Sequence, residues 1–257
     1  MRHSEGPLRS PAGFFAGFLA AMGFFTRLPV DPPAVGWRLA DSAWAFPLVG
    51  AGIGGAVGFA LLLAQLIGLA SWPASLLAVL AGIALTGALH EDGLADTADG
   101  FFGGRDREEK LAILRDSRQG TYGVLAIVLS VLLRAAALAG IGDVIHASLA
   151  LIAAHAASRA ALPAAMIGLA PARPDGLGAT AGTPRTGAAI AATLLGVAIS
   201  LAALGPVRGA IALCITNAVV FAMAELARRQ IGGYTGDVLG AFQQVGEIMI
   251  LLAASAR

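Results

Sequence analysis

The longest uncharged stretch of the chain constrains its fold most. Between Asp41 and Glu91 lie 49 consecutive residues without Asp, Glu, Lys or Arg. This stretch is long enough for two transmembrane helices of about 20 apolar residues each. Composition agrees, because only 13% of residues are charged, about half the share of an ordinary soluble domain, and mean hydropathy is +0.78. The sequence therefore predicts an integral membrane protein.

Several further apolar segments are long enough to cross a bilayer. A bilayer enforces helices, because backbone polar groups in hydrocarbon must be bonded within their own segment, and the alternation typical of barrel strands is absent. The predicted fold is all-α: one polytopic helical membrane domain over residues 1–257, with about six or seven transmembrane helices. A shorter apolar helix near residues 14–25 is predicted to lie at the interface or to re-enter the membrane. The predicted helices cover roughly residues 43–70, 72–89, 121–142, 144–170, 187–205, 207–226 and 237–255.

Composition also excludes several classes of protein. The net charge of +1, from 17 basic and 16 acidic residues, gives no electrostatic reason to expect a nucleic-acid partner. A single cysteine, Cys214, excludes an internal disulfide and any CxxC metal or redox site. The 34 glycines instead predict helices that pack closely in a bilayer.

Basic residues are distributed unequally between the two sides of the membrane. If the N-terminus is cytoplasmic, 13 of the 17 Lys and Arg residues fall in cytoplasmic segments, and only Arg208 and Arg257 fall outside. This distribution follows the positive-inside rule. We therefore predict that the large polar loops face the cytoplasm.

Acidic residues are concentrated in one polar segment, residues 90–120, which holds 8 of the 16. Asp92, Asp96 and Asp99 have i, i+4, i+7 spacing, so a continuation of the preceding helix would place all three in one stripe. Carboxylates in such a stripe repel one another, and Mg²⁺ relieves the repulsion while leaving coordination positions for phosphate. The segment is therefore predicted to be a cytoplasmic active-site loop, with these three aspartates as catalytic residues and metal ligands.

Other polar residues near helix ends are candidates for binding an anionic substrate. Arginine forks match phosphate oxygens, which makes Arg115, Arg118 and Arg185 candidates. Asp116 and Asp237 complete the predicted substrate-binding set. Each has a structural alternative, because arginines also anchor helix ends at membranes and an aspartate at a helix start is often an N-cap.

Some charged residues fall inside predicted spans. Arg134 and Arg159 would be costly facing lipid, so we expect an acidic or carbonyl partner or a water-filled cavity for each. A polar group in the last helix is predicted to line the same region: Gln243, Gln244 and Glu247.

The sequence resembles adenosylcobinamide-GDP ribazoletransferases, the cobalamin synthase family. The resemblance rests on His90, the run DGLADTADG over residues 92–100, and Asp116-Ser117-Arg118 followed by Gly120. It extends over nearly the whole chain through FTRLP at 25–29, FPLVG at 46–50 and GYTGDVLGA at 233–241. Glu91 departs from the pattern, which is expected to have an apolar residue there, and it either adds a ligand or faces water.

The resemblance implies a Mg²⁺-dependent phosphotransferase of the bacterial cytoplasmic (inner) membrane. Such an enzyme joins adenosylcobinamide-GDP to alpha-ribazole or its 5'-phosphate, forms a phosphodiester and releases GMP. Its partners would be these two substrates and the lipid bilayer, with no nucleic acid and no protein-bound corrinoid cofactor. The oligomeric state is left open, a homo-oligomer included.

Two other classes of protein are compatible with polar groups in a membrane. A CDP-alcohol phosphotransferase also uses membrane aspartates and a divalent cation, but its DGxxAR opening fails here, where Asp96 and Thr97 replace Ala and Arg. A secondary transporter should show broken helices in two related halves and a site near mid-bilayer. The strongest candidate site here is instead a loop at one end of the spans.

Overall fold

The computed structural model describes residues 11–30 and 37–256, and this part of the chain is helical. Arg2, Arg9 and Arg257, which entered the orientation argument, lie outside the described residues. The elements are α1 (Pro11–Phe25), a 3-10 helix (Leu39–Ala45), α2 (Phe46–Leu66), α3 (Ser71–Thr86), α4 (Leu89–Gly103), α5 (Arg107–Ile113), α6 (Thr121–Ile141), α7 (Val144–Ala160), α8 (Leu162–Gly168), α9 (Leu177–Thr180), α10 (Thr186–Leu204), α11 (Pro206–Ile231) and α12 (Gly236–Ser255).

Six helical segments are long and apolar enough to cross a membrane. They comprise α2 with the 3-10 helix before it, α6, the α7–α8 pair, α10, α11 and α12. The bent pair α3–α4 would make a seventh, and the apolar N-terminal helix is shorter. The predicted all-α polytopic fold is therefore confirmed.

The junction between α3 and α4 differs from the expectation. Gly87 and Ala88 both have positive φ, +67° and +58°, and the axes of the two helices differ by 92°. Glycine adopts this region without steric cost, and an added Cβ at Gly87 would overlap the side chain of Arg27. The expectation that the aspartate stripe continues the preceding helix is therefore wrong. The aspartates lie on a separate helix with a new direction.

Glycines bring α2 and α7 into direct backbone contact. Gly50, Gly54 and Gly58 recur every four residues and share one face of α2, the small-residue spacing that allows helix backbones to approach in membranes. A Cβ added at Gly54 would lie 2.5 Å from the carbonyl oxygen of Leu151 on α7, and one at Gly50 would overlap the carbonyl of His155. The close packing predicted from glycine content is present at this pair of helices.

A glycine on the contact face and its neighbour make a matched pair of substitutions. We expect Gly54→Ala to lower the thermal unfolding midpoint, since its methyl group must push α7 away at a cost of about 1–3 kcal/mol. Gly55→Ala meets no atom within 4 Å and gains helix propensity, so its midpoint should equal or exceed that of the parent protein. Thermal unfolding of both purified variants in one detergent makes the comparison. Equal midpoints would contradict the α2–α7 contact.

The two ends of the helix bundle differ in character. At one end, short turns join α2 to α3, α6 to α7 and α10 to α11, and each contains a positive-φ glycine: Gly68, Gly142 and Gly205. Because successive spans alternate in direction, the longer polar segments gather at the opposite end. Outside the six candidate spans, the segments at this end are residues 26–30, 37–38, 87–120, 169–185 and 232–235.

Hydrogen bonds fix the longer segments to one another. Arg107 donates from Nε to the carbonyl of Ile231 at 2.9 Å and from Nη2 to the carbonyl of Ala172 at 2.7 Å. The amide of Tyr234 donates to the carbonyl of Ala170 at 2.9 Å, and the amide of Ala172 donates to the carbonyl of Tyr234 at 2.8 Å. This end is therefore an ordered surface on which a site can be built.

Candidate active site

Two glycines place the start of α4 against the start of α12. A Cβ added at Gly93 would lie 2.7 Å from the carbonyl oxygen of Asp237, and one at Gly240 would lie 3.3 Å from the Cα of Gly93. This close approach puts Asp92 and Asp237 on the wall of one cavity of about 140 Å³. The cavity is otherwise lined mainly by apolar side chains, including Phe25 and Leu162.

Asp92 and Asp96 present carboxylates on the accessible side of α4. Asp92 is exposed, and Asp96 is half-buried and accepts a hydrogen bond from Nε2 of Gln119 at 3.2 Å. The negative charges of Asp92 and Asp237 both repel the negative charge of Asp96. Three acidic groups from two helices therefore share one electrostatic environment, in which a cation is favoured.

Asp99 has a different environment from the other two aspartates of the stripe. Its carboxylate is buried and accepts hydrogen bonds from the amides of Gly120 at 2.7 Å and Gly123 at 2.9 Å. These amides belong to the N-terminus of α6, whose first amides have no partner within the helix. Asp99 therefore caps α6 from a neighbouring helix. A Cβ at Gly120 would lie 2.5 Å from Asp99 Oδ1, so the cap needs glycine there.

Of the three aspartates expected to bind the metal ion, Asp92 and Asp96 have carboxylates more open to a ligand than Asp99 has. Among residues 11–30 and 37–256, no three His, Cys, Asp or Glu side chains are grouped so as to hold a metal ion. Mg²⁺ takes one or two carboxylates and completes its octahedron with water and phosphate, so two carboxylates such as those of Asp92 and Asp96 would be enough to hold it. The assignment of Asp99 as a third ligand stays a prediction, since both its oxygens already accept backbone hydrogen bonds.

The predicted arginines are found with carboxylate partners. Arg115 lies 2.7 Å from Asp175, and Arg118 lies 2.6 Å from Asp116. The hydrogen bonds from Arg118 lower the pKa of Asp116 to about 2, so this carboxyl is ionised at neutral pH. The segment that carries these pairs reaches the stripe through Gln119, which follows Arg118 and contacts Asp96.

Arg185 is placed elsewhere at the same end of the bundle. It is exposed and precedes the first residue of α10. Its role as a substrate-binding residue stays a prediction.

Asp237 is not the N-cap of α12, contrary to the structural alternative considered for it. Thr235 is the cap, because its hydroxyl accepts a hydrogen bond from the amide of Val238 at 3.3 Å. The Thr235 hydroxyl also donates to Oδ2 of Asp237 at 3.0 Å. Asp237 therefore lies in the first turn of α12, and its carboxylate accepts a hydrogen bond from the Thr235 side chain instead of capping the helix.

Sequence reasoning missed Arg173, which lies beside Asp237. Its Nη2 is 3.6 Å from Oδ2 of Asp237, and the side chain is only 16% exposed. Arg173 lies in an irregular segment between α8 and α9, where no periodicity indicates its direction. The sequence offered no signal for it beyond a basic residue in a polar turn.

A buried ionic network lies behind the aspartate face. Arg134 on α6 contacts Glu91 on α4 at 3.0 Å and Glu247 on α12 at 3.2 Å, and Glu247 lies 3.2 Å from Nδ1 of His155 on α7. All four side chains are almost fully buried. Glu91 therefore neither adds a ligand at the site nor faces water. It pairs with Arg134 in the interior.

The same network includes the polar residues predicted to line the spans. Gln243 donates to Glu247 at 2.7 Å, and Gln244 donates to Glu91 at 3.2 Å. Arg159 donates to the carbonyl of His155 at 3.2 Å. The expectation that both arginines of the spans have acidic or carbonyl partners is confirmed.

Fold and site together define a class: a polytopic helical membrane protein with carboxylates and arginines gathered at one end of its helix bundle. The chain belongs to the cobalamin-5-phosphate synthase family, whose model matches residues 17–255. This match confirms the resemblance seen in the sequence, and it does not support the CDP-alcohol phosphotransferase or the secondary transporter considered as alternatives.

Relatives of known name match nearly the whole chain. A protein of Bradyrhizobium diazoefficiens is 49% identical, covering 92% of each chain. One of Mesorhizobium japonicum is 49% identical over 96% of this chain and 95% of its own, and one of Azorhizobium caulinodans is 44% identical over 98% and 97%. All three bear the name adenosylcobinamide-GDP ribazoletransferase. No solved structure matches the chain.

Proposed function

We propose that the protein is a membrane-embedded adenosylcobinamide-GDP ribazoletransferase. The observation that carries the proposal is the acidic face formed by Asp92 and Asp96 beside Asp237, in a chain whose relatives bear that name over nearly its full length. A diphosphate substrate needs neutralisation of its charge before a nucleophile can approach. An acidic face that takes a divalent cation, with arginines beside it, supplies such an environment.

The proposed reaction is a phosphoryl transfer, in which one phosphorus–oxygen bond forms as another breaks. A ribose hydroxyl of alpha-ribazole, or of its 5'-phosphate, attacks the phosphorus that is attached to the aminopropanol arm of adenosylcobinamide-GDP. The new phosphorus–oxygen bond forms as the bond to the bridging oxygen of the diphosphate breaks, and GMP leaves with that oxygen. The hydroxyl proton passes to a carboxylate of the aspartate stripe, and half-buried Asp96 is the proposed acceptor.

The donor set fits Mg²⁺ carried by the diphosphate. Asp92 and Asp96 would hold the ion, with Asp99 as the further ligand that the stripe predicts. When bound, Mg²⁺ neutralises the diphosphate charge and stabilises the leaving group. The protein's own part is to orient the two substrates at the cavity where the starts of α4 and α12 meet. We call this opening, with Asp92 and Asp237 on its wall, the mouth of the site.

The positive-inside distribution supports a cytoplasmic position for this mouth. The described basic residues at the site end include Arg27, Arg38, Arg107, Arg115 and Arg173, and we propose that this end faces the cytoplasm of a bacterial inner membrane. Both proposed substrates are polar and charged, so a site at the water boundary gives them access without crossing lipid.

The test is the release of GMP by the purified protein in detergent or lipid nanodiscs. We expect GMP and the corrinoid product in equal amounts when adenosylcobinamide-GDP, alpha-ribazole and Mg²⁺ are present together, and neither product when the acceptor or Mg²⁺ is left out. A folded protein that makes no GMP would contradict the proposal. So would GMP formation that does not depend on the acceptor, since that is hydrolysis.

A further inference from the structure

One guanidinium beside Asp237 has unmet hydrogen-bonding capacity. Nη1 of Arg173 is buried and has no hydrogen-bond partner. Its Nη2 lies 3.6 Å from Asp237, which is longer than a hydrogen bond. Leaving buried charged donors unpaired is costly, so such a group calls for an explanation, and one explanation is a ligand.

Neighbouring arginines at this end of the bundle are engaged more fully. Arg107 donates to two backbone carbonyls, and Arg118 donates to Asp116 through both Nε and Nη2. Arg115 donates to both oxygens of Asp175 at 2.7 Å. Arg173 therefore differs from these three in having a buried donor, Nη1, without a hydrogen-bond partner.

The backbone that carries Arg173 is fixed in place. Ala172, the preceding residue, donates its amide to the carbonyl of Tyr234 at 2.8 Å, and its carbonyl accepts from Arg107. Tyr234 is itself buried and lies three residues before Asp237. The segments that carry the guanidinium and the carboxylate are thus joined by main-chain hydrogen bonds, which sets the separation of the two groups before any ligand arrives.

The surroundings of Arg173 select the chemistry of the ligand. Asp237 lies on the same cavity wall as Asp92, so the guanidinium stands at the edge of the acidic face rather than apart from it. A ligand that meets a carboxylate-bound cation on one side and an arginine fork on the other must carry several anionic oxygens. A phosphate group has this form, and bidentate contact with arginine suits it.

We propose that Arg173 is a substrate-binding residue that takes a phosphate oxygen, with the phosphate replacing Asp237 as its main partner. This inference rests on the proposed function and deepens it. Two substrate groups have the required chemistry: the diphosphate of adenosylcobinamide-GDP and the 5'-phosphate of alpha-ribazole 5'-phosphate.

The experiment compares Arg173→Gln and Arg173→Lys with Arg105→Gln. Arg105 is a matched control, because it is an exposed arginine at the same end of the bundle, and its side chain contacts Glu109 of α5. Two measurements are made on protein in nanodiscs. One is the affinity for inorganic pyrophosphate in the presence of Mg²⁺, which requires no turnover, and the other is KM for each substrate.

We expect Arg173→Gln to weaken one phosphate interaction by roughly 10- to 100-fold, as for loss of a charged hydrogen bond. If the diphosphate is the partner, pyrophosphate affinity falls and KM for adenosylcobinamide-GDP rises with either acceptor. If the 5'-phosphate is the partner, only KM for alpha-ribazole 5'-phosphate rises, and the preference over alpha-ribazole is lost. Arg105→Gln should leave all values within about twofold.

Values for Arg173→Gln that match those of Arg105→Gln in every assay would overturn the inference. Should Arg173→Gln fold poorly, Arg173→Lys decides, since it keeps the charge beside Asp237 but loses the fork. A folded Arg173→Lys with parental phosphate affinity and KM values would also overturn it. Because the pyrophosphate measurement needs no catalysis, a protein that binds pyrophosphate through Arg173 but releases no GMP would refute the proposed function and leave this inference standing.

Discussion

We expect Asp92→Asn and Asp96→Asn each to lower the rate of GMP release by roughly 10²- to 10⁴-fold, with the thermal unfolding midpoint of the protein unchanged. Both carboxylates lie on the accessible side of α4 and make few contacts within the protein, so the amide replacements cost little stability. Loss of one negative charge, however, weakens the hold on Mg²⁺ and on the diphosphate. Chromatographic measurement of GMP, together with thermal unfolding of the same samples, separates the two effects.

Two other acidic residues serve as comparisons for these variants. Glu108→Gln removes an exposed acid in α5, outside the proposed site, and should leave both activity and stability as they are. Asp99→Ala should behave differently again, because it leaves the amides of Gly120 and Gly123 without their acceptor and lowers the unfolding midpoint. Parental activity in Asp92→Asn or Asp96→Asn would sink the assignment of the acidic face as the active site.

The second large effect is expected in the buried network. Arg134→Leu leaves the carboxylates of Glu91 and Glu247 without their cation in the protein interior, and breaking a buried ion pair in this way costs about 3–5 kcal/mol of unfolding free energy. Chemical denaturation in detergent measures the loss. Adding Glu91→Leu should recover part of it, since one of the two uncompensated charges is then removed.

An exposed arginine at the opposite end of the bundle provides the control for Arg134. Arg208→Leu should change the unfolding free energy by less than about 0.5 kcal/mol, as for an ordinary surface substitution. If Arg134→Leu were as stable as Arg208→Leu, or if the double variant were less stable than Arg134→Leu alone, the network would not hold the four helices together as described.

Much of the fold followed from hydropathy alone. Long apolar segments must form helices in a bilayer, so the spans from α2 to α12 were within reach of the sequence. The bend before α4 was not, because Gly87 and Ala88 adopt positive φ in a way that depends on what packs around them. A helix that turns by 92° after two residues leaves little trace in a hydropathy pattern.

The candidate site, too, could be predicted only in part from the sequence. The i, i+4, i+7 spacing indicated a shared face for Asp92, Asp96 and Asp99, and all three do lie on α4. Spacing along the chain indicates only which residues share a face of the same helix. The hydrogen-bond partners of Asp99 lie more than 20 residues away along the chain, on another element. The pairing of Glu91 with Arg134 likewise depends on the packing of α4 against α6.

A density map of the protein in nanodiscs with Mg²⁺ and adenosylcobinamide-GDP, without acceptor, tests the central claim most directly. We predict a metal ion about 2.0–2.1 Å from carboxylate oxygens of Asp92 and Asp96, bridging to the diphosphate at the mouth between α4 and α12. A diphosphate bound elsewhere, with both carboxylates in contact only with water, would contradict the account.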